Sequence, residues 1–351
     1  MSLKGQHILS SAQFDMPLLD ELYGYADTLA PVARGQMTTD VLRGAVLGSI
    51  FFEPSTRTRL SFDAAFMRLG GSVSNTTGVE FSSVVKGESL EDTARVVGGY
   101  MDTLVVRHFE EKAIHQFAAS TNIPVINGGN GSGEHPTQAL LDLYTIRTEF
   151  KRLNKKLDGC HVTMAGDLRY GRTIHSLIRL LSLYKGLTFT MVAPKGLEIP
   201  QELVEAARAK GHAVKETHNL EEGLAKADLL YTTRIQKERM SESEKAANEG
   251  VSFRITKDLA DRAAPKDVII MHPLPRDSRP GANDLSNDFD NSDPRLAIFR
   301  QTDAGIPVRM ALFCMVLGVE SSIKASLKPA SWWRPDAIAN HDAEFYKIKR
   351  I

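Results

Sequence analysis

A chain of 351 residues, 42% hydrophobic and 25% charged, has the composition of a globular protein and the length for two domains. Its 43 Lys and Arg offset 43 Asp and Glu, so no basic excess exists to draw nucleic acid or an anionic membrane, and neither is expected as a partner. Two distant cysteines, Cys160 and Cys314, in no metal-type spacing, and a first stretch (1–15) without a long apolar core argue for a reducing, cytoplasmic setting.

Short apolar runs alternate with helix-period segments, which predicts an α/β fold with mostly parallel sheets. In the first half, strands are expected at 45–52, 71–76, 102–107 and 123–127, with helices at 55–69, 88–100 and 111–119 between them. An amphipathic helix, "HPTQALLDLYTIRTEF" (135–150), follows, and the basic stretch "KRLNKK" (151–156) marks the expected domain boundary. Strands are then expected near 160–166, 187–193, 212–216, 228–234 and 267–272. The longest apolar run, 310–319, is about half a membrane span. No motif repeats between the halves, so two different α/β domains are expected. The crevice outside the carboxyl ends of their strands is the default ligand site.

The unusual polar groups fall where that rule puts them. After 45–52 comes "EPSTRTRLSF", with Ser55 as the expected N-cap and an apolar stripe through Leu60, Phe62, Phe66, Met67 and Leu69. Arg57 and Arg59 oppose the positive end of the helix dipole. Two solvated arginines are one explanation; an anion held by the helix start, the hydroxyls of Ser55, Thr56 and Thr58, and the guanidinium forks is the better one. Arg107 and His108 follow the third strand, where a surface ion pair is the ordinary reading.

The glycines of "GGNGSG" (128–133) lack both dinucleotide and P-loop spacing and read as a flexible loop delivering His135. His135 alone reads equally as a capping or core histidine; Gln138 adds a second polar group on the same turn. "GDLRYGRT" brings Asp167, Arg169 and Arg172; Arg234 and Gln236 share one face of an extended segment and can grip a carboxylate; "HPLPR" occupies 272–276. Lys86, in "SSVVKGESL", reads as part of a mobile loop or as a plain exposed lysine. No carboxylate pair, metal-ligand set or Ser-His-Asp set stands out. The expected site is cationic, for substrates with several negative charges and a reaction driven by positioning and oxyanion stabilisation.

In this order, "FFEPSTRTRLSF", "SSVVKGES", "VVRH", "GEHPTQALLDLYTI", "MAGDLRYGRTIHSL", "YTTRIQKER", "MHPLPR" and "GIPVRMAL" resemble the aspartate transcarbamoylase family, over roughly residues 5–320. The resemblance implies the carbamoyltransferase fold: two α/β domains, each a mostly parallel sheet flanked by helices. A carbamoyl phosphate domain would span 1–150, joined by a returning helix near 305–325; an aspartate domain would span 151–304, and 326–351 would be a C-terminal extension. It implies that Ser55, Thr56, Arg57 and Thr58 hold the phosphate, that Thr58, Arg107 and His135 contact the carbamoyl oxygen, and that Gln138 contacts the amino group. Leu274 and Pro275 would touch substrate through their backbone, with a cis bond before Pro275. Arg172 would take the α-carboxylate of aspartate, and Arg234 with Gln236 the β-carboxylate.

Ser82 and Lys86 would reach in from a neighbouring subunit of a homotrimer, and Glu53 would brace the domains through Arg172 and Arg234. No cofactor or metal is implied; a regulatory chain or pathway enzyme remains as a further partner. Ornithine transcarbamoylases, the alternative, typically carry Cys where this chain has Pro273. An inactive scaffold fits poorly with intact catalytic positions, and a nicotinamide-dependent oxidoreductase lacks its fingerprint. Two stretches depart from the family pattern: the longer "DSRPGANDLSNDFDNSDP" after Arg276, and residues 321–351 with Trp332 and Trp333, which read as a tail packed on its own subunit ahead of a docking surface.

Overall fold

The first long element, helix α1 (Met16–Ala33), starts where Asp15 accepts a hydrogen bond from Leu18 N at 3.0 Å, with Pro17 in the first turn. Sequence reading places no element there; Gly24 and Pro31 interrupt a pattern whose Leu18, Leu22, Ala26 and Leu29 are all buried. The computed structural model describes residues 2–77, 86–236, 240–242, 245, 253–277, 279, 282 and 284–332. Ser82 and Trp333 lie outside the described residues.

Among the described residues the chain forms two compact units, one running to Leu141 and resuming at Asp303, the other Asp142–Thr302. The division between these units falls inside helix α5 (Pro136–Arg152) and inside helix α10 (Ile298–Val316). An amphipathic pattern reports that a helix has a buried face, not which of two cores receives each half of it.

The first unit is built on a parallel sheet ordered β3 (Ser72–Thr77), β2 (Val46–Phe51), β4 (Thr103–His108), β5 (Val125–Asn130). Helices α2 (Thr56–Arg68), α3 (Leu90–Gly98) and α4 (Ala113–Ala119) connect the strands. Strands β2 and β4 read as continuous apolar runs because a parallel sheet covered on both faces buries every position. Ile50, Leu104, Val106, Ile114, Phe117 and Val125 form one core cluster. Phe62 and Phe66 of α2 meet the Phe313 ring of α10 edge-on, at 5.9 and 4.9 Å. The expected α2 stripe is corrected in part: Phe62, Phe66 and Leu69 are buried, but Leu60 and Met67 are more than half exposed. Seven residues apart, these two share a face turned from the core of their own unit. A two-stranded antiparallel ribbon, β1 (Met37–Thr38) with β11 (Lys328–Pro329), ties the start of the C-terminal extension to its own chain. Trp332 beyond it is exposed.

In the second unit, five parallel strands follow the order β10 (Ile269–Met271), β9 (Leu229–Thr232), β6 (His161–Ala165), β7 (Thr188–Val192), β8 (Ala213–Thr217). Helices α6 (Arg172–Leu181), α7 (Gln201–Ala209), α8 (Leu220–Leu224) and α9 (Lys257–Ala263) accompany them. The long segment after Arg276 protects the β10 edge: Ile270 N donates to Arg295 O, and Ala297 N to Ile270 O, both at 2.8 Å. Among the described residues no single helix is long and apolar enough to cross a membrane.

Candidate active site

In the first unit, β2 delivers the chain through Glu53 and Pro54 to the start of α2. Ser55 stands at the N-cap in extended conformation (φ −157°), yet its side chain makes no capping bond. The expected cap is absent, so this hydroxyl does not consume the first-turn amides. Thr56 and Arg57 are exposed, while Thr58 and Arg59 are half-buried. Desolvation draws the Arg57 guanidinium down from its ordinary value, but an arginine stays charged. The second arginine has an internal reason to be there. Asp63, one turn on, is buried; burial raises its carboxyl, and Ser49 and Arg59 pull it back.

Arg107, at the end of β4, donates from Nε to Glu53 Oε2 at 3.0 Å and from Nη1 to Gly128 O at 3.3 Å. The pair is largely buried, with side-chain exposures of 14% and 22%. Glu53 is thus engaged with Arg107, a partner the sequence reading did not name for it. His108 lies between Phe52 and Phe109, its ring 4.9 and 4.2 Å from theirs, and burial lowers its pKa.

The glycine-rich stretch is not the flexible loop expected. Gly128, Gly129 and Asn130 are buried residues of β5, and asparagine side chains pin the turn between that strand and His135. Asn127 Oδ1 accepts from Gly129 N at 2.7 Å, Asn130 Oδ1 from Glu134 N at 2.8 Å, and Asn130 Nδ2 donates to Glu111 O at 2.6 Å. His135, 4% exposed, immediately precedes α5; its carbonyl accepts from Gln138 N at 3.0 Å and Ala139 N at 3.2 Å. Gln138 is half-buried on that first turn. Lys86 is exposed in a short turn, and Ser89 caps α3 by accepting from Asp92 N at 3.0 Å.

In the second unit, the end of β6 turns at Gly166 (φ +122°), where an added Cβ would lie 2.1 Å from Thr233 O. That close approach brings two loops together, and the fully buried Asp167 joins them. Its carboxylate accepts from Tyr170 N at 2.9 Å and from Gln236 N at 3.1 Å, while Gln236 Nε2 donates to Tyr170 O at 3.0 Å. Arg172 opens α6, 9% exposed, and Arg234 is half-buried two residues before Gln236. The sequence alone assigns Asp167 no task; nothing in the pattern tells a loop-joining carboxylate from a solvated one.

The bond before Pro275 is cis and Leu274 has φ +58°. Leu274 N donates to His272 Nδ1 at 2.8 Å, so the ring proton resides on Nε2 and is donated to Asp284 Oδ1, also at 2.8 Å. His272 N donates to Gln301 Oε1 at 2.9 Å, Gln301 Nε2 to Asp142 Oδ1 at 2.7 Å, and Tyr231 Oη to Asp142 Oδ2 at 2.6 Å. The departing stretch after Arg276 therefore supplies Asp284 as an anchor for the H-P-L-P-R turn. Among the described residues no cluster of His, Cys, Asp or Glu is arranged to hold a metal ion.

Two parallel-sheet α/β units, each with arginines at the carboxyl ends of its strands, define a two-domain α/β enzyme of anionic substrates. Family models narrow the class: the aspartate/ornithine carbamoyltransferase carbamoyl-P binding domain matches residues 6–148, and the Asp/Orn binding domain of the same family matches 158–316. The chain belongs to the aspartate/ornithine carbamoyltransferase family. It is 52% identical to the aspartate carbamoyltransferase catalytic subunit of Dichelobacter nodosus, over 99% of this chain and 100% of that one. It is 47% identical to the catalytic subunit of Saccharophagus degradans, over 95% and 98% of the two chains. The crystal structure of aspartate transcarbamoylase from Trypanosoma cruzi in complex with carbamoyl phosphate and aspartate superposes with a TM-score of 0.81, at 40% identity, covering 90% of this chain and 98% of that one.

Proposed function

We propose that the protein transfers the carbamoyl group of carbamoyl phosphate to the α-amine of L-aspartate, giving N-carbamoyl-L-aspartate and phosphate in pyrimidine biosynthesis. The first unit takes carbamoyl phosphate and the second takes aspartate. The phosphate is held by Ser55, Thr56, Arg57 and Thr58 at the uncapped start of α2. Arg107, His135 and Thr58 bond the carbamoyl oxygen, Gln138 the amino group, and the backbone of Leu274 and Pro275 completes the contacts. Arg107 reaches substrate from its pairing with Glu53, which restrains the guanidinium until an anion competes for it.

The acceptor is carried by one observation: Arg234 and Gln236 occupy a segment tied to buried Asp167, and Arg172 opens α6 five residues after Asp167, so the second unit supplies two arginines for two carboxylates. Ornithine offers only one carboxylate. The neutral amine attacks the carbamoyl carbon; a C–N bond forms, the C–O bond to phosphate breaks, and the departing phosphate takes the amine proton. No protein base is required. Each donor aimed at the developing oxyanion contributes roughly 3 kcal/mol and holding the two reactants in line roughly 7 to 11 kcal/mol.

The working assembly is a homotrimer in which Ser82 and Lys86 complete the site of the neighbouring subunit. Support comes from the first unit, where Leu60, Met67, Val96, Tyr100 and Phe109 are large apolar side chains left exposed. The two cysteines are free and buried, consistent with work in the cytoplasm. A regulatory chain or pathway enzyme is a further partner to be sought on this trimer. The test is an assay for carbamoyl-aspartate with aspartate and ornithine offered in turn, beside the mass in solution. Carbamoylation of ornithine in place of aspartate overturns the acceptor, and an active monomer overturns the shared site.

A further inference from the structure

The residue before His135 is gripped by the other end of the chain. Ser10 Oγ donates to Glu134 Oε1 at 2.6 Å, and Ser11 N and Ser11 Oγ each donate to Oε2 at 2.9 Å. The gripping segment is itself built. Ser10 accepts from Ala12 N at 3.1 Å, and Gln13 Oε1 accepts from Ser10 N at 2.9 Å and Leu9 N at 2.7 Å, a closed capping box around one 3₁₀ turn. Just ahead of it the chain lies along β5: Ile8 N donates to Val125 O and Asn127 N to Ile8 O, both at 2.8 Å. Asn127 Nδ2 adds a bond to Leu9 O at 3.0 Å. On the other side, Glu134 N donates to Asn130 Oδ1 at 2.8 Å, and Glu134 O accepts from Asn130 N at 3.3 Å. Side chain, N–H and carbonyl of Glu134 are therefore all tied down within the first unit.

A carboxylate next to a site for anions is a poor neighbour unless its charge is met elsewhere. Here three donors from Ser10 and Ser11 meet it, and in doing so they clamp the turn that carries His135. We infer that Glu134 is a positioning residue for His135, and that residues 8–13 form part of the catalytic apparatus without touching substrate. This rests on the reading of His135 as a donor to the carbamoyl oxygen. A donor aimed at a developing oxyanion loses effect when displaced, and a shift of about 1 Å can cost about 100-fold in rate. Phosphate binding at the start of α2 does not depend on the clamp.

The experiment compares Glu134→Ala, Glu134→Gln, the Ser10→Ala/Ser11→Ala double variant, their combination with Glu134→Ala, and His135→Ala. Carbamoyl-aspartate kinetics, inorganic phosphate affinity and thermal melting are measured on each intact protein. Glu134→Ala is expected to lower kcat about 10- to 100-fold while KM for aspartate and phosphate affinity hold within about two-fold. The serine double variant should lose a similar factor, with no further loss on combination, because both break one clamp. Glu134→Gln, which keeps the shape and an acceptor, should recover most of kcat. Unchanged kcat in Glu134→Ala or in the serine variant, multiplied losses on combination, or weakened phosphate affinity each overturn the inference. If His135→Ala itself retains full kcat, the role of His135 falls instead. The serine variant keeps the test decisive should Glu134→Ala fail to fold.

Discussion

Arg57 and Arg59 look alike in the sequence and do different work in the fold. Arg57 is exposed at the helix start, where a phosphate would meet both its fork and the first-turn amides. Arg57→Ala should therefore weaken inorganic phosphate by about 2 kcal/mol or more, a titration that leaves a merely solvated arginine silent. Arg59 instead stands within electrostatic reach of Asp63, whose buried carboxyl remains above its ordinary value of 3.8. A raised carboxyl means the folded state binds protons more tightly than the unfolded one, so stability falls as pH rises from about that value through the folded pKa. Asp63→Asn should thus melt higher than the parent at pH 7, with the advantage closing below about pH 4. A melting difference that does not change with pH would show that Asp63 carries no such strain. The arginines were readable as chemistry; Asp63 was not, because a carboxylate one turn along a helix shows no burial in its letters.

At the scale of elements, the stretch after Arg276 changes its meaning once folded. Its letters are acidic, glycine- and proline-containing, and suggest a surface connection. In the structure it supplies Asp284 to His272, a backbone bridge to β10, and an ion cluster on α9. Arg295 donates to Asp293 from Nε at 3.0 Å and to Asp261 from Nη2 at 2.6 Å. Burial alone would raise the Asp293 carboxyl, but hydrogen bonds and charge from Arg295 more than offset it and leave it below 3.8. A depressed carboxyl stabilises above its unfolded value and loses that contribution as pH falls through the folded one. Arg295→Met should cost about 3 kcal/mol at neutral pH, since it strands a buried carboxylate, and should flatten the loss of melting temperature below about pH 4. Equal acid sensitivity in both proteins would remove this cluster from the account. The glycine-rich stretch before His135 carries the same lesson: flexible by composition, it is held through Asn127 to Leu9, Asn130 to Glu111 and Glu134 to Ser10, partners distant in sequence.

The whole assembly is tested by mixing. Lys86 is exposed on its own chain, whereas His135 is buried in its first unit. If Lys86 serves a neighbour, Lys86→Ala and His135→Ala trimers should each be nearly inactive and should recover activity when dissociated and remixed. In a closed three-fold ring, a mixed trimer presents an interface where intact His135 of one chain meets intact Lys86 of the next. Activity measured before and after remixing, with hybrids identified by charge-tagged electrophoresis, reads the result. Hybrids as inactive as their parents would leave Lys86 without an intersubunit task. The exposed Leu60 and Met67 belong at this scale too. Read along one helix they are core residues; in the fold they face away from it.

Local chemistry was written in the chain itself. Alternating apolar runs and helix signals yielded the two parallel-sheet units, because apolar periodicity is local to each element and strands alternating with helices build parallel sheets. The arginines, His135 and Gln138 stood out because helix starts and strand ends are where an α/β fold exposes polar groups. Tertiary structure decided what depends on contacts between distant residues. It divided the chain within α5 and α10, turned Leu60 and Met67 outward, and paired Glu53 with Arg107. It also joined Asp167 to Gln236, Asp284 to His272, and Ser10 and Ser11 to Glu134. A carboxylate's letter is the same whether water, an arginine or a backbone amide meets it. Only the packed fold chooses among them, through the cost of burying a charge without partners.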